Sequence, residues 1–225
     1  MSDGPIRVVA FGDAAVLVLV GERLEPAVTR RVHRVAAAIR DEMQDEPGWF
    51  QPVPGAASIL VGVDPAAPGV DAAIARIEAI VERLADPPTL DAAPAPPIGA
   101  VVELPTRYGG PDLDAVAQRH GLSVAEVVAI HTSTDYEVQF LGFAPGFAYL
   151  GPLPEAIATP RHATPRTKVA AGSVGIAGRQ TAVYPFDSPG GWQIIGRTDA
   201  RLWDVSRDPP ALLVPGTTVR FVPLD

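Results

Sequence analysis

The sequence contains no cysteine among its 225 residues. This absence excludes disulfide bonds, thiolate catalysis and cysteine-ligated metals, and it fits a protein of a reducing cytoplasm. Basic residues are also in the minority, because 18 lysines and arginines stand against 26 acidic residues, for a formal net charge of −8. Since nucleic-acid phosphates require a basic face, we exclude nucleic-acid binding as the main role.

Long apolar runs are absent as well, and no stretch has the length needed to cross a bilayer. Residues 1–13 carry an acid before a short apolar run, which is not the pattern of a signal peptide. The composition, with 47% hydrophobic and 20% charged residues, is typical of a globular protein with substantial cores. We therefore expect a cytoplasmic protein without a membrane partner.

The N-terminal part of the chain alternates β-branched runs with two amphipathic patterns. Short strands are predicted at 6–10, 15–20, 51–54 and 58–63. A first helix should begin near Pro26, and a second should follow the last of these strands. The apolar stripes of the two helices comprise Val28, Val32, Val35, Ile39 and Met43, and then Val70, Ile74, Ile77, Val81 and Leu84. We predict a small ferredoxin-like α/β domain over residues 1–85.

Proline-rich residues 86–97 (DPPTLDAAPAPP) are predicted to be a linker, because proline disfavours both helix and strand. The second domain is predicted over residues 98–225. It begins with a strand and two short helices, the second of which has a capping box formed by Ser123 and Glu126. Short strands and turns follow, so the whole chain is assigned to the α+β class.

Residues 142–198 are dense in glycine and proline, which fix the backbone where it must turn tightly. The segment AAGSVG around Ser173 nearly matches the G-x-S-x-G nucleophile elbow of hydrolases. In that fold the catalytic histidine comes after the serine in the sequence. The last histidine is His162, so a turn residue is the more economical interpretation of Ser173. Gly172, Gly175 and Gly178 match neither a dinucleotide nor a P-loop motif, although such turns can present amides to an anion.

His131 could act as a general acid–base, since its ordinary pKa lies near neutrality, but a structural histidine at a helix end is the main alternative. No histidine or carboxylate spacing of a metal site is present, so we predict no metal. Arginines in rigid turns can bind carboxylates or phosphates, and surface ion pairing is the alternative. Aromatic residues near X-Pro-Gly turns favour a pocket wall over simple core packing: Phe143, Phe147, Tyr149 and Trp192.

Several motifs together resemble one known family, that of the 5-oxoprolinase B subunit, KipI and allophanate hydrolase subunit 1, which is the carboxyltransferase subdomain C and D family. The matching segments are LPTRYGGPDL (104–113), His131 with Tyr136, GFAPGFAYLG (142–151), PRHATPR (160–166), AGSVGIAGRQT (171–181), SPGGWQIIGRT (188–198) and PGTTVRF (215–221). The resemblance implies a C-terminal cyclophilin-like β-barrel. It also implies a companion, the 5-oxoprolinase C subunit, and a third component, the A subunit, in the ATP-dependent cleavage of 5-oxoproline to glutamate.

From the resemblance we expect a subunit of a 5-oxoprolinase complex that supplies part of a composite site. No Walker motif or dense acidic cluster is present, so ATP with Mg²⁺ is expected at the level of the complex and not on this chain alone. The alternatives are a regulatory inhibitor of a histidine kinase and the carboxyltransferase half of a urea- or allophanate-metabolising complex.

The residues expected to line the shared cleft fall into two groups. His131, Tyr136 and Ser173 are predicted to be catalytic, with His131 transferring or orienting a proton. The residues predicted to bind substrate or phosphate, with the arginines neutralising anionic groups, are Arg161, Arg166, Gln180, Tyr184, Gly190, Gly191, Trp192 and Arg197.

Overall fold

The computed structural model describes residues 5–84 and 101–224. The chain divides into two compact units, and each of these two ranges belongs to one of them. The predicted linker, residues 86–97, lies outside the described residues, so the domain boundaries stay a prediction. None of the helices in the described ranges is long and apolar enough to span a membrane.

The first unit is a four-stranded antiparallel sheet with two helices. Its elements are β1 (Arg7–Ala10), β2 (Ala15–Leu19), α1 (Pro26–Met43), β3 (Val53–Pro54), β4 (Ser58–Gly62) and α2 (Val70–Leu84). The strand order is β1-β2-β4-β3. This is the predicted ferredoxin-like arrangement with one change: the edge next to β2 is filled by a strand that precedes the first helix, not by one that follows the second.

The core of the first unit forms because both helices pack on one face of the sheet. Strand residues alternate, so that Val16 and Val18 of β2 point into this core beside Val61 and Ile59 of β4. All five apolar positions predicted for α1 are buried. In α2, Ile77 and Val81 are buried together with Ala73 and Ile80, while the other three predicted positions are partly buried against the same core.

The second unit is built around a β-barrel. Its elements are β5 (Val102–Tyr108), α3 (Leu113–His120), α4 (Val124–Thr132), β6 (Tyr136–Leu141), β7 (Ala148–Gly151), a 3₁₀ turn (Glu155–Ile157), β8 (Arg166–Val169), β9 (Ser173–Ala177), β10 (Gln180–Val183), β11 (Ser188–Gly190), β12 (Gln193–Thr198) and β13 (Thr218–Pro223). In the described part of the unit, seven strands close in the order β10-β7-β6-β13-β5-β12-β9. Strands β5 and β13 run parallel, and the other pairs are antiparallel.

The barrel has a packed interior and a second apolar layer outside it. At the end of β10, Val183 belongs to the interior core, whereas Ala182 before it and Tyr184, directly after the strand, belong to a separate cluster. Because side chains alternate across a strand, the second cluster lies on the outer face of the barrel wall. There it packs beside Val169 of β8, which pairs with β11 in a two-stranded ribbon outside the barrel. This outer face carries the candidate site.

Candidate functional site

Four aromatic side chains form the floor of the outer face: Phe147, Tyr149, Tyr184 and Trp192. The Phe147 ring meets the other three edge-on, at centroid distances of 5.0 Å to Tyr149, 5.3 Å to Tyr184 and 5.7 Å to Trp192. Such T-shaped contacts are the preferred aromatic geometry and stabilise a fixed arrangement of rings. The floor is therefore a rigid apolar surface formed by residues far apart in the sequence.

Phe143 extends from this floor toward solvent. Its ring contacts Phe147 at 5.2 Å and Tyr184 at 6.4 Å, yet 61% of the residue is exposed. Its backbone has φ = +69°, a conformation that a bulky L-residue adopts only at an energetic cost. The turn that imposes this conformation is closed by backbone hydrogen bonds between Gly142 and Phe147 and between Phe147 and Ala144.

Two glycines of the SPGGW segment lie at the edge of the floor. A Cβ on Gly190 would come within 2.3 Å of the Tyr184 hydroxyl, so only glycine fits against this ring. A Cβ on Gly191 would meet its nearest atoms, in the turn of residues 161–165, at ordinary contact distances of 3.7–3.8 Å. The carbonyl of Gly191 accepts a 2.7 Å hydrogen bond from the backbone amide of His162. This bond holds the turn of residues 161–165 against the segment next to Trp192.

Arg161, in the same turn, places its guanidinium 5.8 Å from the centre of the Trp192 ring. This is a cation–π distance, at which the ring face attracts the positive charge. Arg161 is exposed, and it has no ion pair with a carboxylate among residues 5–84 and 101–224. It is thus an available cation directly above an aromatic surface.

Arg166, by contrast, is already paired. Its Nη2 atom donates to the Oδ1 atom of Asp112 at 2.6 Å, and its Nη1 atom donates to the carbonyl of Trp192 at 3.3 Å. Asp112 is only 5% exposed, and its Oδ2 atom accepts a 2.6 Å hydrogen bond from the amide of Ile194. The Nε2 atom of His162 lies 3.2 Å from Oδ1, but outside hydrogen-bond geometry. Asp112 therefore joins three segments of the second unit.

The YGGPD segment holds the strand that carries Trp192. The amides of Gly109 and Gly110 both donate to the carbonyl of Ile195, and the amide of Asp112 donates to the carbonyl of Ile194. A Cβ on Gly110 would lie 2.3 Å from the Ile194 oxygen, so this close approach requires glycine. The segment thereby supports β12 at the irregularity between Ile194 and Gly196.

Burial and neighbouring cations control the protonation of the site. Burial alone would raise the pKa of Asp112, but the hydrogen bonds from Arg166 and from the Ile194 amide outweigh it and hold that pKa below its usual value. Burial raises the pKa of Tyr149 and of Tyr184, and Arg161 opposes the increase in both. At neutral pH the site therefore contains two neutral phenols and an ionised, paired carboxylate, and its exposed charge is the Arg161 cation.

His131 and Tyr136 occupy a different place, the interior of the barrel, and both are fully buried. The Nδ1 atom of His131 lies 2.6 Å from the Tyr108 hydroxyl, and its Nε2 atom lies 2.9 Å from the Thr181 hydroxyl. The Tyr136 hydroxyl donates to the carbonyl of His131 at 2.9 Å. Burial lowers the pKa of His131 to about 3, so this imidazole is neutral at physiological pH. The catalytic role of His131 and Tyr136 stays a prediction. The two residues lie in the barrel interior, apart from the arginines of the outer face.

Ser173, Gln180 and Arg197 lie on the outer face but toward its margins. Ser173 faces Arg197 across β9 and β12, and it is 8% exposed. Arg197 is exposed and also lies opposite Arg107 of β5. Gln180, at the start of β10, donates to Gln139 at 3.1 Å. The structure thus brings together Arg161, Arg166, Tyr184, Gly190, Gly191 and Trp192. Ser173, Gln180 and Arg197 lie elsewhere on the outer face, and His131 and Tyr136 lie inside the barrel.

Sequence reasoning assigned no role to Asp112. It lies within LPTRYGGPDL, a segment that the resemblance singled out, so the motif itself was the available signal. Its partner Ile194 is 82 residues away, and no local pattern reveals such a contact. In the described ranges, no group of three or more histidines and carboxylates is arranged as a metal site.

Comparison with known proteins gives a family. Residues 6–213 match the model of the carboxyltransferase domain, subdomain C and D. The chain belongs to this family. It is also 43% identical to the B subunit of 5-oxoprolinase from Escherichia coli O157:H7, over 96% of this chain and 95% of that protein. It is 41% identical to the B subunit of 5-oxoprolinase from Bacillus subtilis (strain 168), over 94% and 90% of the two chains.

Solved structures share the fold. A crystal structure of the protein TTHA0988 superimposes with a TM-score of 0.79 at 34% identity, and it covers 95% of this chain. This chain spans only 40% of that longer polypeptide. The Kluyveromyces lactis urea amidolyase matches 97% of this chain with a TM-score of 0.74 at 22% identity, which shows a common fold, and this chain corresponds to 15% of its length.

Proposed function

We propose that this chain is the B subunit of a 5-oxoprolinase, a complex that cleaves 5-oxo-L-proline to L-glutamate at the expense of ATP. The observation that carries the proposal is the identity of 41–43% to two proteins that bear the name of this subunit, over nearly the full length of all three chains. The closed barrel of the second unit supports the cyclophilin-like fold that we assign to it.

The outer face suits such a substrate. 5-Oxoproline is a small, nearly flat lactam ring with one carboxylate. A flat ring can stack on an aromatic floor, and a guanidinium can bind a carboxylate through two parallel hydrogen bonds. Tyr149 is the one partly exposed ring of the four and can contact such a ring, while Trp192, 4% exposed and 5.8 Å from Tyr149 between centroids, supports Arg161, which supplies a cation. The neutral phenol of Tyr149, which is partly exposed, can donate a hydrogen bond to the lactam oxygen, whereas Tyr184 is buried against Gly190.

The energetic demand of the reaction implies further subunits. Opening an unstrained lactam is coupled to ATP by transfer of the γ-phosphoryl group to the amide oxygen, which makes the ring carbon a better electrophile for water. This transfer needs Mg²⁺ and a nucleotide site, and the sequence contains no Walker motif. We therefore propose that the chain is not a complete enzyme, that the companion C and A subunits complete the site, and that the complex works in the cytoplasm, where ATP is supplied.

The proposal is tested by phosphate release from ATP, with and without 5-oxo-L-proline, for this chain alone and after addition of the companion subunits. We expect turnover only when the substrate and the companions are both present. Stable assembly without substrate-dependent turnover would overturn the proposal in favour of a carboxyltransferase acting on a urea-type substrate. If none of the companion subunits binds this chain, a regulatory protein would be favoured instead.

A further inference from the structure

The two arginines next to Trp192 are chemically different, although both lie in the same short segment, PRHATPR. Arg161 is exposed, stands over the face of the Trp192 ring and lacks a carboxylate partner in the described ranges. Arg166 is only partly exposed, and its charge is compensated at 2.6 Å by a carboxylate that is itself buried. The charge of this guanidinium is already compensated, which reduces its attraction for an anionic ligand.

Asp112 is the origin of this difference. Each of its carboxylate oxygens has a partner: Oδ2 accepts from the amide of Ile194, and Oδ1 accepts from Arg166. A buried carboxylate is stable only with such compensation, and removal of one partner leaves an uncompensated group. Arg166 in turn donates to the carbonyl of Trp192, so Asp112, Arg166 and the backbone of Trp192 form one hydrogen-bonded unit.

Asp112 also connects the start of α3 to β12, the strand that follows Trp192. Asp112 is the N-cap residue of α3, yet its carboxylate makes no capping hydrogen bond to that helix. The carboxylate instead accepts a hydrogen bond from Ile194 of β12. The amide of Asp112 donates to the carbonyl of Ile194 at 3.0 Å, which completes a reciprocal pair of hydrogen bonds between the two residues. This pair fixes the backbone two residues beyond Trp192, and with it the orientation of the ring under Arg161.

We propose that Arg161 is the residue that binds the carboxylate of the substrate, and that Asp112 and Arg166 are positioning residues that hold Trp192 beneath it. The ligand class is a small monocarboxylate with a flat amide-containing ring. This assignment rests on the proposed function for the identity of the substrate. The different states of the two arginines are a property of the chain alone, which allows the two ideas to be tested separately.

The first experiment uses the full chain by itself and an arginine-specific dicarbonyl reagent, phenylglyoxal, with peptide mapping of the modified sites. We expect Arg161 to react about tenfold faster than Arg166, because Arg166 is held by charged hydrogen bonds. Asp112→Asn keeps an oxygen for the Ile194 amide but removes the negative charge, so it should accelerate the reaction at Arg166 several-fold and leave Arg161 unchanged. Equal rates in the wild type, or no response to Asp112→Asn, would overturn the assignment.

The second experiment measures turnover of 5-oxo-L-proline in the assembled complex. Arg161→Ala should raise KM about tenfold or more with a smaller change in kcat and an unchanged unfolding midpoint, whereas Arg161→Lys should restore part of the affinity. Asp112→Asn and Arg166→Ala should raise KM less than Arg161→Ala does, because they act on the substrate only through the position of Trp192. The double variant should be no worse than the more affected single variant, because the two residues act as one unit. Arg119→Ala, on the exposed face of α3, is the control.

The outcomes separate the two ideas. A wild-type complex that does not turn over 5-oxoproline would contradict the proposed function, while the reactivity experiment would still decide between the arginines. If Arg166→Ala raises KM and Arg161→Ala does not, the roles are reversed and the inference fails. Additive losses in the Asp112→Asn, Arg166→Ala double variant would equally contradict a shared positioning role.

Discussion

The Nε2 atom of His131 lies 2.9 Å from the hydroxyl of Thr181 in the interior of the barrel. The same hydroxyl donates to the carbonyl of Gly175 at 3.2 Å, so it accepts from the imidazole. His131 is therefore protonated on Nε2, and its Nδ1 atom accepts from the Tyr108 hydroxyl. Through these hydrogen bonds the neutral imidazole connects α4 to β5 and β10, and through the Thr181 hydroxyl to β9. His131 therefore stabilises the interior of the barrel.

The buried imidazole predicts a pH-dependent stability. Its pKa is about 3 in the folded protein and near 6.5 in the unfolded chain, so between these values the unfolded state binds the extra proton. Stability should consequently be lost as the pH falls from about 6.5 toward 3, with a slope of up to about 1.4 kcal/mol per pH unit for this one proton. The measurement is urea unfolding of the wild-type chain at pH 7.5, 6.5, 5.5 and 4.5.

The variants for this prediction are His131→Gln and, as a control, Arg119→Ala. His131→Gln should flatten the dependence above pH 4.5, although it lowers stability at every pH because buried partners lose their bonds. Arg119→Ala, on the exposed face of α3, removes no histidine and should keep the wild-type slope. A wild-type stability that is constant from pH 6.5 to 4.5 would contradict the neutral, buried assignment even if the first variant fails to fold.

The two glycines of SPGGW provide a second prediction, because they were expected to share a role and the structure distinguishes them. Gly190→Ala places a methyl group 2.3 Å from the Tyr184 hydroxyl, and the packed ring has little room to move. We expect a loss of about 1–3 kcal/mol in the free energy of unfolding. Gly191→Ala should be nearly neutral in the same chemical denaturation, since its Cβ finds only ordinary contacts. Equal losses would contradict the packing of Tyr184 against Gly190.

The features that the sequence predicts well are those encoded locally. The apolar stripe from Val28 to Met43, the start of α1 at Pro26 and the capping box at Ser123 depend on residues within one helix, and all three are confirmed. The bond between Asp112 and Ile194 could not be predicted, because it joins positions that the barrel topology alone brings together. The resemblance indicated the motif but not the contact.

His131 illustrates the same limit at a single residue. Its position at the end of a helix was predicted correctly, and either a catalytic or a structural role was compatible with the sequence. Its burial depends on Tyr108 and Thr181, which come from two other strands of the closed barrel. A local pattern carries no information about these partners, so burial could not be derived from it.

The capping box of α4 predicts a modest and separable stability effect. The Ser123 hydroxyl accepts from the Glu126 amide, and the Glu126 carboxylate accepts from the Ser123 amide at 2.7 Å. Ser123→Ala should lower the free energy of unfolding by about 1 kcal/mol, because an amide of the first turn loses its acceptor. Ser133→Ala, at the other end of the same helix, should change it by less than about 0.5 kcal/mol. A Ser123→Ala variant that loses no more stability than Ser133→Ala would show that the cap does not stabilise this helix.

The exposed ring of Phe143 gives a prediction in which function and stability diverge. Its left-handed backbone costs about 1–3 kcal/mol, and asparagine tolerates this conformation better than phenylalanine does. Phe143→Asn should therefore leave the unfolding midpoint almost unchanged, since relief of strain offsets the lost contacts with Phe147 and Tyr184. Turnover of the assembled complex should nevertheless fall, because the ring borders the aromatic floor at Phe147 and Tyr184.

The control for Phe143 is Val205→Ser, which changes an exposed apolar residue of the second unit that is 80% accessible. This variant should alter neither the midpoint nor the turnover, as is usual for surface positions outside a site. Thermal unfolding of the isolated chain and 5-oxoproline-dependent phosphate release by the complex measure the two properties independently. If Phe143→Asn destabilises the chain strongly while the surviving protein keeps full turnover, the ring is a packing residue, because a strained residue retained for binding should show the opposite pattern.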